Sequence, residues 1–214
     1  MFVKFLFVCY DINIIKGGDY MNLPNKLTVL RVILIPMVMV CYMVDAIPFG
    51  KIIALALFVI AAATDFLDGY IARKYNLVTD LGKFLDPIAD KLLVITTLIM
   101  IVVDGTIPAP WGLIVLTIII SRELIIDAFR LIASTKGIVM AADIFGKAKT
   151  MVQCWTMPLC ILLSFLNGVT KVQGTLGLDI FAIVCYVLIG LSTVLTVISG
   201  VNYIVKNKQV ISSK

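Results

Sequence analysis

Six long apolar runs alternate with short polar stretches along the chain, near residues 27–45, 51–72, 86–103, 110–132, 150–168 and 176–204. A helix needs about 20 apolar residues to cross a bilayer. The pattern therefore predicts an all-α, polytopic membrane protein with six transmembrane helices, because a closed helix leaves no backbone group unpaired in lipid. Six crossings put both termini on one side. Lys26, Arg31, Arg73, Lys74, Lys136 and Lys206 are among the many basic residues expected at that face, against only Lys51 and Lys171 at the other. The positive-inside rule makes the basic-rich face cytoplasmic.

Composition agrees. The chain is 61% hydrophobic and 14% charged, with a mean hydropathy of +1.09, which excludes an ordinary soluble domain. A net charge of +5 is spread over membrane-proximal loops, so it points to anionic lipid and phosphate as partners, alongside the bilayer, and to no nucleic acid. The five cysteines include no CxxC pair and read as packing residues. No repeat or second domain interrupts residues 21–214. Residues 1–20 have two readings: an amphipathic anchor, or a translated leader ahead of a start at Met21, since Lys16-Gly17-Gly18-Asp19 can be encoded as a bacterial ribosome-binding sequence.

The polar stretch between the second and third runs is the densest in charge. Asp65 and Asp68 are spaced i, i+3, and Asp86 and Asp90 i, i+4, so each pair shares a helix face. Like charges so placed repel, and carboxylates beside hydrocarbon are costly without a cation between them. The chain has no His and no Cys nearby. Four carboxylates alone select a hard ion, Mg²⁺ or Mn²⁺, with room for two ions. Because Mg²⁺ keeps open positions for phosphate oxygens, the cytoplasm-facing cup reads as a metal site for a diphosphate. Asp86 could alternatively cap a helix starting at Pro87, and opening of the third helix near Thr79 would instead put Pro87 inside it. Gly69 lets a ligand approach the backbone, or lets helices pack closely. Arg73 suits a phosphate or a carboxylate.

The complete spacing Asp65-x2-Asp68-Gly69-x2-Ala72-Arg73-x8-Gly82-x3-Asp86-x3-Asp90 resembles the signature of the CDP-alcohol phosphotransferases, with every fixed position present. The resemblance implies a homodimeric, Mg²⁺-dependent transferase in which Asp65, Asp68, Asp86 and Asp90 hold metal and Asp90 is the general base. It also implies that Asp68, Gly69, Arg73 and Thr79, with Asn25 and Thr28 at the entry to the first helix, meet the CDP-lipid. CDP-diacylglycerol suits a cup at the lipid boundary, since its acyl tails can stay in the bilayer. For Asn25, helix capping is the plainer alternative.

Two further segments, Ser121-Arg122-Glu123 and Gly146-Lys147-Ala148-Lys149-Thr150, resemble the branch of that family whose acceptor is sn-glycerol 3-phosphate. Arg122, Arg130, Lys147 and Lys149 then form a pocket for the acceptor's phosphate. An Arg–Glu and Arg–Asp packing network through Glu123 and Asp127 is the alternative. Other acceptors, such as serine, inositol phosphate or a lipid, would use the same aspartates. A membrane prenyltransferase would separate its acidic motifs more widely, and a cation transporter would place them nearer mid-membrane.

Overall fold

The computed structural model describes residues 22–75, 80–136, 144–169 and 176–207. Six helices make up the architecture: α1 Leu23–Met43, α2 Gly50–Lys74, α3 Asp80–Val103, α4 Trp111–Thr135, α5 Ile144–Val169 and α6 Leu176–Lys206. Each contains one of the six apolar runs for most of its length. Among the described residues, three are long and apolar enough to cross a membrane, within α1, α5 and α6. The other three have comparable length but are richer in charge, with the four aspartates on α2 and α3 and Arg122, Glu123, Asp127 and Arg130 on α4.

The largest boundary differences from the apolar pattern lie at the starts of α3 and α5, which begin at Asp80 and Ile144 rather than near 86 and 150. Both early turns are polar or mixed, as expected where a helix continues past the apolar slab. With α3 starting at Asp80, Pro87 lies inside it, which removes the reading of Asp86 as a cap. Asn25 likewise lies inside α1, and the N-cap position is Asn22, so capping does not explain Asn25.

The chain divides at Met100/Ile101 into two compact units. In the first, α1 packs along α2. Among the described side chains, the buried positions of α1 include Asn25, Thr28, Arg31, Leu34, Ile35, Val38 and Tyr42, and those of α2 include Ala54, Phe58, Ala61, Thr64 and Asp68. Both stripes recur every three or four residues, as a helix face requires. Each is polar at one end and apolar at the other, and the antiparallel run brings Arg31 on α1 into contact with Asp68 on α2. Ala54 and Ala61 let the backbones approach. At the corner between the helices, a Cβ on Gly50 would lie 2.2 Å from the Cys41 carbonyl oxygen, so only glycine fits the turn there.

In the second unit, α6 packs against α4 and α5. The buried residues of α4, Gly112, Ile119, Ile126 and Ala133, repeat every seven positions and form a narrow seam. On α6 the seam includes Cys185, Ile189, Ser192, Thr196, Ser199 and Tyr203. The hydroxyls of Ser192 and Thr196 donate to the carbonyls of Ile189 and Ser192, which satisfies them within their own helix. At the turn before α4, Asp104 accepts from Thr106 at 2.7 Å and from Ser164, and Tyr186 donates to the Thr106 carbonyl. That network ties the turn to α5 and α6.

Candidate active site

The polar ends of the α1 and α2 stripes create the first half of the site. Thr28 Oγ1 donates to Asp86 Oδ1 at 2.6 Å and lies 3.4 Å from Asp68 Oδ2. One hydroxyl on α1 therefore joins carboxylates of α2 and α3. Asp68 is buried and Asp65 is 44% exposed along its side chain, so the first faces the protein and the second reaches solvent. Asp86 and Asp90 are both half-buried, one turn apart on α3.

Arg31 is the residue that the sequence reading missed here. It stands out in sequence only as one more basic residue near the cytoplasmic face. Its side chain is fully buried, with Nη1 2.6 Å from Asp65 Oδ1 and Nη2 2.6 Å from Asp68 Oδ2. The available signal is its register: Asn25, Thr28 and Arg31 recur every third residue, so the arginine belongs to the same inward face.

Among the described residues, no three acidic or cysteine side chains gather closely enough to hold a metal ion. Asp65 and Asp68 pair instead with the Arg31 guanidinium, and Asp86 accepts from Thr28. The donor chemistry nonetheless fits a hard divalent cation. Asp65 and Asp68 already converge on one cationic group, and Asp86 shares a hydroxyl with Asp68.

The second unit gathers part of the predicted basic set. Arg122 Nη2 donates to Ser199 Oγ at 2.6 Å, and its Nη1 is 3.4 Å from Glu123 Oε1, which also pairs with buried Lys149. Glu123 thus links Arg122 to Lys149 and supplies the Arg–Glu network that was the structural alternative. Arg130 lies over the Tyr203 ring at 5.7 Å, with its Nε 3.4 Å from the hydroxyl. Lys147 is exposed and does not share the burial of Lys149. A Cβ on Gly200 would lie 3.1 Å from Arg122 Cγ, so this glycine makes room for the arginine. Local sequence gives no sign of Ser199, Gly200 or Tyr203 at the site, because their partners lie more than 70 positions away. Gln153 is buried one turn beyond Lys149, and its Nε2 has no hydrogen-bond partner among the described residues.

Thr79 lies outside the described residues. So does the side chain of Arg73, although the backbones of Gly69 and Arg73 are part of α2.

The first unit thus holds carboxylates of α2 and α3 beside a buried arginine, and the second holds the basic residues of α4 and α5 against α6. The CDP-alcohol phosphatidyltransferase family model matches residues 21–198, and the chain belongs to that family. It is similar to CDP-diacylglycerol–glycerol-3-phosphate 3-phosphatidyltransferase of Bacillus subtilis (strain 168), with 46% identity over 62% of this chain and 72% of the relative. The protein of the same name from Rickettsia bellii (strain RML369-C) is 35% identical over 85% of this chain and 93% of its own length. A protein of Mycobacterium tuberculosis (strain CDC 1551 / Oshkosh), named a probable phosphatidylglycerophosphate synthase, is 34% identical over 86% of this chain and 81% of the relative.

Proposed function

We propose that the protein transfers the phosphatidyl group of CDP-diacylglycerol to sn-glycerol 3-phosphate, giving phosphatidylglycerophosphate and CMP. The observation that carries this reading is the similarity, across most of both chains, to relatives whose names state that activity. The grouping of Arg122 and Lys149 around one carboxylate supports it, because such a pair can exchange that anion for a phosphate.

In this reading Asp65, Asp68, Asp86 and Asp90 hold Mg²⁺, with Mn²⁺ as an alternative and two ions as the expected number. When bound, the metal neutralises charge on the diphosphate and on the departing CMP. Asn25 and Thr28 line the nucleotide end, and Gly69, Arg73 and Thr79 complete the CDP-lipid contacts. Arg122 and Lys149 bind the acceptor's phosphate, while Arg130 and Lys147 draw it in. An Asp90 carboxylate oxygen takes the acceptor's hydroxyl proton. The freed oxygen bonds to the phosphorus that carries diacylglycerol, and the bond from that phosphorus to the CMP oxygen breaks.

The six helices cross a bacterial cell membrane in this reading, with both termini and the site at the cytoplasmic face and a homodimer as the assembly. Residues 21–214 form the catalytic membrane region, and residues 1–20 are a leader or an anchor. Peptide mapping of the native protein separates the last two, by finding its N-terminus at Met21 or at Met1.

Mass spectrometry of the lipid formed from CDP-diacylglycerol and glycerol 3-phosphate tests the reaction. A new lipid with the mass of phosphatidylglycerophosphate is the expected result. Unchanged CDP-diacylglycerol in the presence of folded protein, Mg²⁺ and acceptor would contradict it.

A further inference from the structure

Topology alone does not explain Arg31, since an arginine that marks the cytoplasmic face keeps its charge in water and this one is fully buried. Its two terminal nitrogens each lie 2.6 Å from a carboxylate oxygen, one of Asp65 and one of Asp68. A single side chain thus spans both members of the i, i+3 pair. Uncompensated, that pair would repel within one helical turn, and here the compensating cation comes from the chain itself. The planar fork of a guanidinium suits the task, because a lysine ammonium is a point charge. Arg31 also has capacity to spare: its Nε is buried with no hydrogen-bond partner among the described residues. A guanidinium fork matches phosphate as well as carboxylate.

We propose that Arg31 is an internal counter-cation which holds Asp65 and Asp68 in the substrate-free protein, competes with a divalent ion for their oxygens, and turns to the diphosphate as it releases them. This rests on the metal and diphosphate reading above. Asp65, the more exposed partner, is the one that a cation from solvent reaches first.

The test is Mn²⁺ binding, followed by electron paramagnetic resonance on the full-length protein in detergent at pH 8, for the wild type, Arg31→Gln, Arg31→Lys and Asp68→Asn. Removing a competitor that pairs with both carboxylates and donates a charge-assisted hydrogen bond to Asp68 tightens Mn²⁺ binding about tenfold in Arg31→Gln, with Arg31→Lys between it and the wild type. Asp68→Asn weakens it. Unchanged or weaker binding in Arg31→Gln, with loss in Asp68→Asn, would overturn the competition and leave the metal reading standing. Absence of Mn²⁺ binding by the wild type would overturn both.

Should Arg31→Gln not fold, phenylglyoxal modification of the wild type, read at Arg31 by peptide mass spectrometry, decides the matter. Arg31 is expected to be protected without ligand, to become reactive with Mn²⁺ and to be protected again when CDP is added. Constant protection at saturating Mn²⁺ would overturn the proposal.

Discussion

Asp90 stands one turn beyond Asp86 on α3 and is half-buried, a setting that lets a carboxylate meet both solvent and substrate. As the proposed general base it should account for about 10²–10⁴-fold in rate. Asp90→Asn is expected to lose that factor in kcat while binding of the CDP-lipid persists in part; near-normal turnover would move the base elsewhere. Lys147 and Lys149, equivalent in sequence as two cations of one motif, separate in the structure because only Lys149 turns inward to Glu123. Lys149→Ala should cost about 1–3 kcal/mol by leaving Glu123 only its longer contact to Arg122 and should raise the acceptor's KM more than the CDP-lipid's. Lys147→Ala should change stability by no more than about 0.5 kcal/mol and raise the acceptor's KM less. Thermal unfolding and paired KM measurements check both, and a larger acceptor effect at Lys147 would reverse their roles.

Element by element, the apolar runs locate all six helices, because a membrane-length run has few alternatives to a helix. They do not mark the helix ends. At Asp80 and Ile144 the backbone stays helical through polar or mixed turns that hydropathy alone reads as loop. The i, i+3 spacing of Asp65 and Asp68 makes their common reach legible, since spacing within a helix fixes the face, and both meet Arg31. Arg31, Ser199 and Tyr203 are a different matter. Each acts through a partner on another helix, and no local pattern in one sequence encodes which faces meet. Packing also constrains the turns: Gly50 sits where a Cβ would strike the Cys41 carbonyl oxygen. Gly50→Ala should destabilise the α1–α2 corner by about 1–3 kcal/mol, seen as a lower unfolding temperature in detergent. An unchanged unfolding temperature would mean that the corner relaxes freely.

Across the whole molecule, the distribution of Lys and Arg sets the expected orientation, with the turns at residues 44–49 and 104–110 outside and the end of α4 inside. In a cysteine-free background, a membrane-impermeant maleimide applied to intact cells should label Asp45→Cys and spare Lys136→Cys until the cells are opened. Labelling in the reverse pattern would invert the topology. Orientation matters because glycerol 3-phosphate is a charged, soluble acceptor that reaches the site from water, whereas the acyl chains of the donor stay in lipid.

The central claim, metal-dependent phosphatidyl transfer to glycerol 3-phosphate, is tested most directly by CMP release. The purified protein is given CDP-diacylglycerol with and without Mg²⁺, and glycerol 3-phosphate, serine or inositol phosphate as acceptor. The account predicts release that requires both Mg²⁺ and glycerol 3-phosphate. Release with serine or inositol phosphate instead would contradict the assignment of the basic cluster, and release that persists without any divalent ion would contradict the role given to the four aspartates.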